Sequence, residues 1–467
     1  MNLLNAPPWI LASLFLVVTL TNASAQEANY VAGRLIVLND NGAWSWFMDE
    51  RAIVYDSKLI VGSVRSVGKF ASTQGDPNWG NIEVSVCDIA KGTTAKTVLH
   101  PHFEQDDHNG PALLVLPNKR ILAMYSKHGQ ERKIYYRLSE PGDPLAWGPA
   151  HEFVSPGTDG AAFKGNNCTY NNLFRMPTGR IINFYRGVGY EPNYMVSNDD
   201  GQTWQYGGHL LRGKGGYSPY MRYAFDGKDA IHFIATEDHP RNFPTSVFHG
   251  FLRDGKLHFS DAKVLGPIST SVAAPFASWD LTKVFSGDPD NVSWIEDLKL
   301  DDRAQPYIIF SVKKDGRGLS RGKGGMDIRY HYGRWDGKAW QTYEMAYAGT
   351  RLYPGEDDYT GLASLDRRNP NVVYISTDAD PSTGKPLISS ADKRRHYELF
   401  RGTTNNSGKT WRWEPITANS TMDNLRPVVP QWDDARTALV WMRGTYRNNR
   451  GEWTTAVVAT ILSPSSN

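Results

Sequence analysis

The sequence predicts an all-β protein, a seven-bladed β-propeller of four-stranded antiparallel blades. Three observations lead to this fold class: a recurring strand-turn-strand unit, two turn motifs of the Asp-box type, and a composition rich in glycine and aromatic residues. The 467 residues include 43 Gly, 23 Tyr and 15 Trp, and long stretches with helical periodicity are hard to find. We therefore expect residues 26–467 to form a single propeller domain.

The recurring unit is a pair of short apolar strands joined by a turn. Its copies follow one another at intervals of about 50 to 75 residues, which suits one four-stranded blade with its loops. In chain order the seven hairpins are RAIVYDSKLIVGSV, PALLVLPNKRILAMY, NLFRMPTGRIINFY, MRYAFDGKDAIHFIA, LKLDDRAQPYIIFSV, LASLDRRNPNVVYIS and VVPQWDDARTALVWM.

Two segments follow the Asp-box pattern S/T-x-D/N-x-G-x-T-W, namely SNDDGQTW at 197–204 and TNNSGKTW at 404–411. In such a turn the Asp or Asn bonds to local backbone, the glycine takes a left-handed conformation and the Trp packs between strands. The box predicts a folding device and carries little catalytic weight.

Residues 1–25 have the features of a signal peptide, because a short apolar run ends at the small residues Ala23-Ser-Ala25. We expect export to the periplasm or the medium, no membrane span, and a monomer. The net charge of +2 argues against a strongly basic nucleic-acid-binding protein. Cys87 and Cys168 either pair or stay as buried free thiols, so a large core has to supply the stability.

The open ends of the hairpins predict where chemistry collects. The start of the first strand and the end of the second lie at one edge of an antiparallel pair, so these ends should form a rim around the propeller axis. The rim residues are Asp49, Glu50, Arg51, Arg65, Asp106, Asp107, His108, Asn109, His128, Asn167, Tyr170, Asn171, Arg186, Tyr220, Arg222, Tyr223, His239, Lys313, Asp357, Asp358, Tyr359 and Arg426.

Histidine, tyrosine and arginine together suit β-elimination from a uronic acid. A base removes the proton next to the carboxylate, a cation stabilises the charge that develops, and an acid protonates the departing oxygen. Histidine works as a base near neutral pH, arginine is a bidentate partner for carboxylate, and tyrosine can donate a proton. The three residue types need no metal for this reaction.

Six segments resemble the BNR-repeat seven-bladed propellers that include ulvan lyases. They are GAWSWFMDERAIV, DDHNGPALL, NNCTYNNLFR, TEDHPRNFP, EDDYTGLASLD and HYELFRGTTNNSGKTWRWEPI, and they run through nearly all of the chain after residue 25. The resemblance implies a lyase that cleaves ulvan, a sulfated polysaccharide of rhamnose and uronic acid, and leaves a 4,5-unsaturated uronate.

The resemblance also implies roles for individual residues. His108 would be the base, Tyr170 the acid and Arg186 the group that neutralises the carboxylate. His128 would share carboxylate binding or act as the base from the other face of the sugar. Further residues implied to hold the anionic, sulfated substrate are Asn109, Asn171, Tyr220, Arg222 and Tyr223. Relatives can carry a structural metal, so His239 and His249 are candidate ligands for a zinc or calcium ion.

Other functions of the same fold stay open. An α-L-rhamnosidase-type glycoside hydrolase would use a different site on the propeller. A sialidase is prompted by Phe174-Arg-Met-Pro177 and the Asp boxes, although the arginine cluster it requires is not apparent. A carbohydrate-binding propeller without catalysis would have no need of His and Tyr at matched rim positions.

Overall fold

A computed structural model describes residues 27–66, 75–157, 165–213 and 218–464. The predicted signal peptide at 1–25 lies outside the described residues. Seven antiparallel sheets form the blades of a propeller, which confirms the fold class predicted from the sequence. The helical elements of the described ranges are three short 3-10 helices, η1 (Asp107–Asn109), η2 (Val188–Tyr190) and η3 (Ser278–Asp280). None of these described helices is long and apolar enough to cross a membrane.

Two short strands precede the first blade, β1 (Tyr30–Val31) and β2 (Ile36–Asn39). Blade one contains β3 (Ala52–Tyr55), β4 (Lys58–Val64), β5 (Ile82–Asp88) and β6 (Thr93–His100). Blade two contains β7 (Ala112–Val115), β8 (Ile121–Tyr125), β9 (Lys133–Glu140), β10 (Asp143–Trp147) and β11 (His151–Val154). Blade three contains β12 (Thr169–Arg175), β13 (Ile181–Arg186), β14 (Pro192–Ser197) and β15 (Gln205–His209).

Blade four contains β16 (Met221–Phe225), β17 (Ala230–Ala235), β18 (Val247–Arg253), β19 (Lys256–His258), β20 (Val264–Pro267) and β21 (Thr282–Phe285). Blade five contains β22 (Val292–Leu300), β23 (Pro306–Lys313), β24 (Ile328–Trp335) and β25 (Trp340–Gly349). Blade six contains β26 (Ala363–Leu365), β27 (Val372–Thr377), β28 (Glu398–Thr403) and β29 (Arg412–Pro415), and the short β30 (Thr417–Ala418) follows it. Blade seven contains β31 (Asp423–Val428), β32 (Thr437–Tyr446) and β33 (Trp453–Leu462).

Blades two and four exceed the predicted four strands. In blade two, β11 adds to β9 beside β10, and in blade four β21 adds to β18 beside the path from β16 to β20. The other five sheets have four strands each, as predicted. The extra strands extend the outer part of a blade, so they leave the inner hairpin unchanged.

The two ends of the chain close the ring. Strand β2 pairs with β33 and so becomes the outer strand of blade seven, while β1 pairs with β30. Ring closure of this kind ties the first and last blades together, so that neither is left as an unsupported end of the fold.

Each of the seven predicted hairpins is the pair of strands that begins its blade. These pairs are β3–β4, β7–β8, β12–β13, β16–β17, β22–β23, β26–β27 and β31–β32. Their apolar character follows from position, because an inner strand is covered on both faces by neighbouring blades. Strand β17, for example, has the sequence AIHFIA and is buried at every position.

The Asp boxes form the turns between β14 and β15 and between β28 and β29. In the first, Asp199 accepts the backbone N–H of Thr203 at 2.9 Å, and Trp204 Nε1 donates to the carbonyl of Gly201 at 3.2 Å. Gly201 has φ +82°, the left-handed conformation expected of it. The second box has equivalent contacts, which confirms the structural role predicted for both.

The two cysteines are both free and buried. Cys87 lies on β5 of blade one, and Cys168 directly precedes β12 of blade three. Of the two alternatives left open by the sequence, the structure has the one without a disulfide, so the blades are held together by packing and hydrogen bonds.

Candidate active site

A histidine pair lies where β7 begins and β8 ends. His108 is in helix η1, immediately before β7, and His128 follows β8 by three residues. Their rings stack with centroids 3.8 Å apart and planes 10° from parallel. Antiparallel pairing of β7 and β8 thus brings together two residues twenty positions apart in the sequence.

The carboxylate of Asp106 joins the two histidines. Its Oδ1 lies 2.6 Å from His108 Nδ1, and its Oδ2 lies 2.8 Å from His128 Nδ1. Asp107 Oδ1 is a further 2.8 Å contact of His108 Nδ1. The two aspartates beside the first histidine therefore orient the pair.

The two rings differ in protonation. Burial opposes the charged form of His108, but Asp106 and Asp107 outweigh burial and raise the pKa of His108 to about 9. Burial, together with the charge on His108, lowers the pKa of His128 to about 4. Near neutral pH the pair therefore consists of an imidazolium at His108 and a neutral imidazole at His128.

His128, the histidine with the lowered pKa, is also the more exposed of the two. The side chain of His128 is 23% exposed, whereas that of His108 is 9% exposed. Because Nδ1 of His128 faces Asp106, the neutral ring keeps its proton on Nδ1 and leaves Nε2 free to accept one. This arrangement gives His128, rather than His108, the features of a general base, and it leaves His108 as a fixed positive charge.

Tyr170 lies beside the histidine pair on an irregular stretch of β12. The pairing of β12 with β13 shifts register between Thr169 and Asn172, and Tyr170 there has φ +62°. A tyrosine rarely adopts this conformation, which here directs the ring toward the rim. The ring centroid lies 5.4 Å from that of His108. Burial raises the pKa of Tyr170 well above its usual value, so the phenol keeps its proton.

Arg186, at the end of β13, lies over two tyrosine rings. Its guanidinium carbon is 4.8 Å from the ring centre of Tyr170 and 4.6 Å from that of Tyr220. These cation–π contacts hold the side chain in place without neutralising its charge. Within the described ranges, the buried Nη2 atom of Arg186 has no hydrogen-bond partner. No carboxylate of the described residues forms an ion pair with the guanidinium, so its charge stays available to an anion.

An open cleft of about 450 Å³ gives access to His128 and Arg186. It is also lined by Asp106, Tyr190 and Arg450. Arg186 also lines a second, small cavity beside Tyr170 and Tyr220. The predicted residues His108, His128, Tyr170, Arg186 and Tyr220 are thus brought together at one place.

Four residues predicted to hold substrate are buried in other contacts. Asn109 donates to Glu104 at 2.9 Å, and Asn171 accepts from Asn183 at 2.9 Å. Arg222 is 2% exposed and pairs with the carboxylates of Asp49 and Asp297, at 2.9 Å and 3.2 Å.

Tyr223 is 6% exposed and stacks on Phe184 with ring centroids 4.7 Å apart. Adjacent residues of a strand point to opposite faces, but the faces of an inner strand are both covered. Arg222 and Tyr223 therefore serve the packing of the blades and do not present their side chains to a polymer.

The two histidines predicted as metal ligands lie apart. His239 Nε2 lies 3.0 Å from the hydroxyl of Tyr359 near the rim, and His249 Nε2 lies 3.2 Å from His232 Nδ1 inside blade four. Neither belongs to a group of three His, Cys, Asp or Glu side chains that could share an ion in the described part of the chain.

The group that could hold a metal ion is instead Asp106, His108 and His128, whose ligand atoms lie within 4.8 Å of one another. An ion bound by both imidazoles has to lie near the plane of each ring. The stacked rings are parallel and 3.8 Å apart, so metal binding requires one of them to turn. As they stand, the three side chains satisfy one another through hydrogen bonds.

Two residues of the cleft were missed by the sequence analysis, Tyr190 and Arg450. Both lie on loops between the second and third strands of a blade, after β13 and after β32. Such loops start at the rim where the second strand ends, which the hairpin pattern predicts, but no local pattern predicts that Tyr190 and Arg450 reach the cleft.

Comparisons with known proteins agree with the propeller architecture. A family model described as "BNR repeat-containing family member" matches residues 72–348, more than half of the chain. No curated protein matches the sequence.

Two similar solved structures are polysaccharide lyases. One is a PL25 ulvan lyase bound to -[GlcA(1-4)Rha3S]-, with 13% sequence identity, a TM-score of 0.60, and coverage of 93% of this chain and 96% of that chain. The other is the polysaccharide lyase Uly1, with 11% identity, a TM-score of 0.56, and coverage of 93% and 100%. At such low identity the similarity establishes a shared fold.

Proposed function

Because the chain belongs to the BNR repeat-containing family and shares its fold with an ulvan lyase, we propose that it is a polysaccharide lyase that cleaves ulvan by β-elimination. The observation that carries the proposal is the guanidinium of Arg186. It lies against two tyrosines with Nη2 unpartnered, in the cleft that also contains His128. An anionic group of the substrate completes this arrangement.

The first step is recognition of the uronate carboxylate. Arg186 offers a planar pair of N–H donors to the carboxylate oxygens, and the imidazolium of His108 adds a second positive charge nearby. Both charges stabilise the carboxylate as it takes up negative charge in the transition state. The hydrogen on the carbon next to the carboxylate becomes more acidic for the same reason.

His128 then removes that hydrogen as a proton. Nε2 forms the new N–H bond, and the electron pair of the broken C5–H bond becomes the C4=C5 double bond. Asp106 accepts the Nδ1–H of His128 throughout and stabilises the charge that appears on the ring. Asp106 thus acts as a positioning residue for the base.

Tyr170 supplies the proton for the leaving group. As the C4–O bond breaks, its electron pair goes to the glycosidic oxygen, which takes the phenolic proton. Arg186 lies over the same ring and stabilises the phenolate that remains. Proton exchange with water afterwards restores a neutral Tyr170 and a neutral His128.

Glycoside hydrolysis in the same cleft is the alternative function. Glycoside hydrolysis ordinarily needs two carboxyl groups flanking the bond. Glu104 and Asp106 line the cleft, but Glu104 accepts the backbone N–H of His128 at 2.8 Å and Asp106 is bonded to both histidines. These engagements favour elimination over hydrolysis.

The experiment is to incubate purified protein with ulvan and to follow ultraviolet absorbance from a conjugated 4,5-unsaturated uronate. Wild-type protein should give a steady rise, and His128→Asn and Tyr170→Phe should abolish most of it. His151→Asn is the matched control, because His151 lies on β11 in the outer part of blade two. Release of reducing ends without an absorbance rise would favour the hydrolase, and binding without either signal would favour a carbohydrate-binding propeller.

The place of action is also proposed. If residues 1–25 direct export, the protein meets the polymer in the periplasm or outside the cell. Detection of the mature protein in those fractions of the producing cell, and not in the cytoplasm, would support this.

A further inference from the structure

The loop that joins β32 to β33 in blade seven, at 447–452, reaches over to the loop that carries His108. The backbone N–H of Asp107 donates to the carbonyl of Asn449 at 3.0 Å. The side chain of Asn449 lies 3.5 Å from His108 Nδ1. Blade seven therefore contacts the loop of His108 directly.

Gly451 makes the close approach of the two loops possible. It has φ +81°, and a Cβ at this position would lie 3.1 Å from Cβ of Gln105. A residue with a side chain would strain the backbone and crowd Gln105. The loop is thus anchored on both sides of Arg450, by Asn449 before it and Gly451 after it.

Arg450 lines the same cleft as His128 and Arg186. Its backbone N–H donates to Asn448 Oδ1 at 2.8 Å, which fixes the start of the side chain. The side chain itself is exposed, and in the described part of the protein no carboxylate lies within ion-pair distance of its guanidinium. The cleft therefore has two arginines without a carboxylate partner, one deep and one at its edge.

We propose that Arg450 binds a second anionic group of the polysaccharide, on a sugar next to the uronate held by Arg186. This inference rests on the proposed function. A guanidinium fork matches both sulfate esters and carboxylates, so the shared chemistry is a planar pair of donors to an oxyanion. The cleft, of about 450 Å³, is open to solvent, so a bound polymer can continue past the sugar held by Arg186.

The acidic residues of the cleft do not compete for Arg450. Glu104 accepts the Asn109 side chain and the His128 backbone through Oε2, and Asp106 accepts both histidines. Neither acid forms an ion pair with Arg450, so a substrate anion is the partner that Arg450 lacks. Binding at the edge should act on substrate affinity and not on the chemical step.

The test is Arg450→Gln, assayed with ulvan and with chemically desulfated ulvan. With ulvan we expect KM to rise about tenfold and kcat to stay within about twofold, the size of one charge-assisted contact. Arg450→Lys should recover part of the affinity. Arg436→Gln is the control, because Arg436 is exposed, pairs with Asp434 at 2.8 Å, and lies in the β31–β32 turn at the opposite edge of blade seven.

Desulfation distinguishes the two anion sources. If the variant and wild type have equal KM on desulfated ulvan, the group is a sulfate; if the difference persists, it is a second carboxylate. An unchanged KM on both polymers overturns the inference. The same contact can be measured without turnover by comparing the binding of ulvan to Tyr170→Phe and to the double variant Tyr170→Phe, Arg450→Gln. If the wild-type protein forms no unsaturated product but Arg450→Gln still weakens ulvan binding, the proposed function is refuted and the binding site at Arg450 is retained.

Discussion

Glu296, on the inner strand β22, is a buried carboxyl group that should make the stability of the propeller depend on pH in one direction. It is 2% exposed, its Oε2 atom has no hydrogen-bond partner among the described residues, and burial raises its pKa from 4.5 to about 8. The folded protein therefore holds this proton near neutral pH, where an unfolded chain would release it.

The sign and size follow from linkage. A folded-state pKa above the unfolded value gives stability that is complete below pH 4.5 and is lost as pH rises toward 8. Each unit of separation corresponds to about 1.4 kcal/mol, so the loss between pH 4.5 and pH 7 is about 3 kcal/mol. Glu296→Gln has the shape of the protonated acid and no proton to lose. Between pH 4.5 and pH 7, the unfolding free energy of Glu296→Gln should therefore rise by about 3 kcal/mol relative to that of the wild-type protein.

The assay is urea unfolding of wild type and Glu296→Gln at a series of pH values, followed by tryptophan fluorescence. The quantity to plot is the difference in unfolding free energy between the two proteins, because other titrating groups cancel in it. Glu140→Gln, at an exposed position at the end of β9, is the matched control for replacing a carboxyl group by an amide. A flat difference for Glu296→Gln would refute the reasoning, because it would mean that the carboxyl ionises normally in the fold.

Three further predictions concern other buried groups. Tyr170→Phe should lower kcat on ulvan by about 10² to 10⁴ with an unchanged unfolding midpoint, the range for loss of a general acid; a smaller loss would remove Tyr170 from that role. Arg222→Gln removes one cationic partner from each of two buried carboxylates, leaving Asp49 with Arg51 at 3.7 Å and Asp297 with Lys299 at 2.9 Å, and should cost about 3 kcal/mol of stability in urea, while the folded fraction keeps its KM; a selective rise in KM would restore Arg222 to substrate binding. Burial lowers the pKa of His232 to about 4, so His232→Gln should reduce the loss of stability as pH falls from 6.5 toward 4; an equal acid loss in both proteins would contradict this.

The sequence was sufficient for the architecture because the repeat expresses a physical constraint. An inner hairpin such as β16–β17 is covered on both sides, so its strands are mostly apolar, and such hairpins recur once per blade. Antiparallel pairing places the open ends of all the hairpins at one rim, so the sequence alone predicts that His108 and His128 lie together.

The same pattern could not give the direction of each side chain. Arg222 and Tyr223 are adjacent on β16 and point to opposite faces of the strand. Both faces of this inner strand are buried, so the sequence has no alternation of polar and apolar residues that would show which side chains reach solvent. The protonation of the histidine pair was also beyond the sequence. It depends on two aspartates at 2.6 Å and 2.8 Å from one ring nitrogen, a geometry that DDHN permits but does not require.

The loop residue Arg450 was missed for a different reason. It follows the second strand of blade seven by four residues, and its approach to the histidine loop depends on ring closure between β2 and β33. A contact between residue 107 and residue 449 is fixed by the closed ring and by no local pattern. Loops after second strands are therefore where site residues of a propeller are most easily overlooked.

The measurement that tests the central claim most directly is the mass of the products formed from ulvan in oxygen-18-labelled water. Elimination breaks the C4–O bond without adding water, so the new non-reducing ends should be unsaturated uronates without a heavy oxygen at C4. A heavy oxygen at the reducing end alone decides nothing, because that hemiacetal oxygen exchanges with water. Hydrolysis adds the elements of water across the bond, so saturated products that have gained the mass of one labelled water for each cleavage would contradict the account.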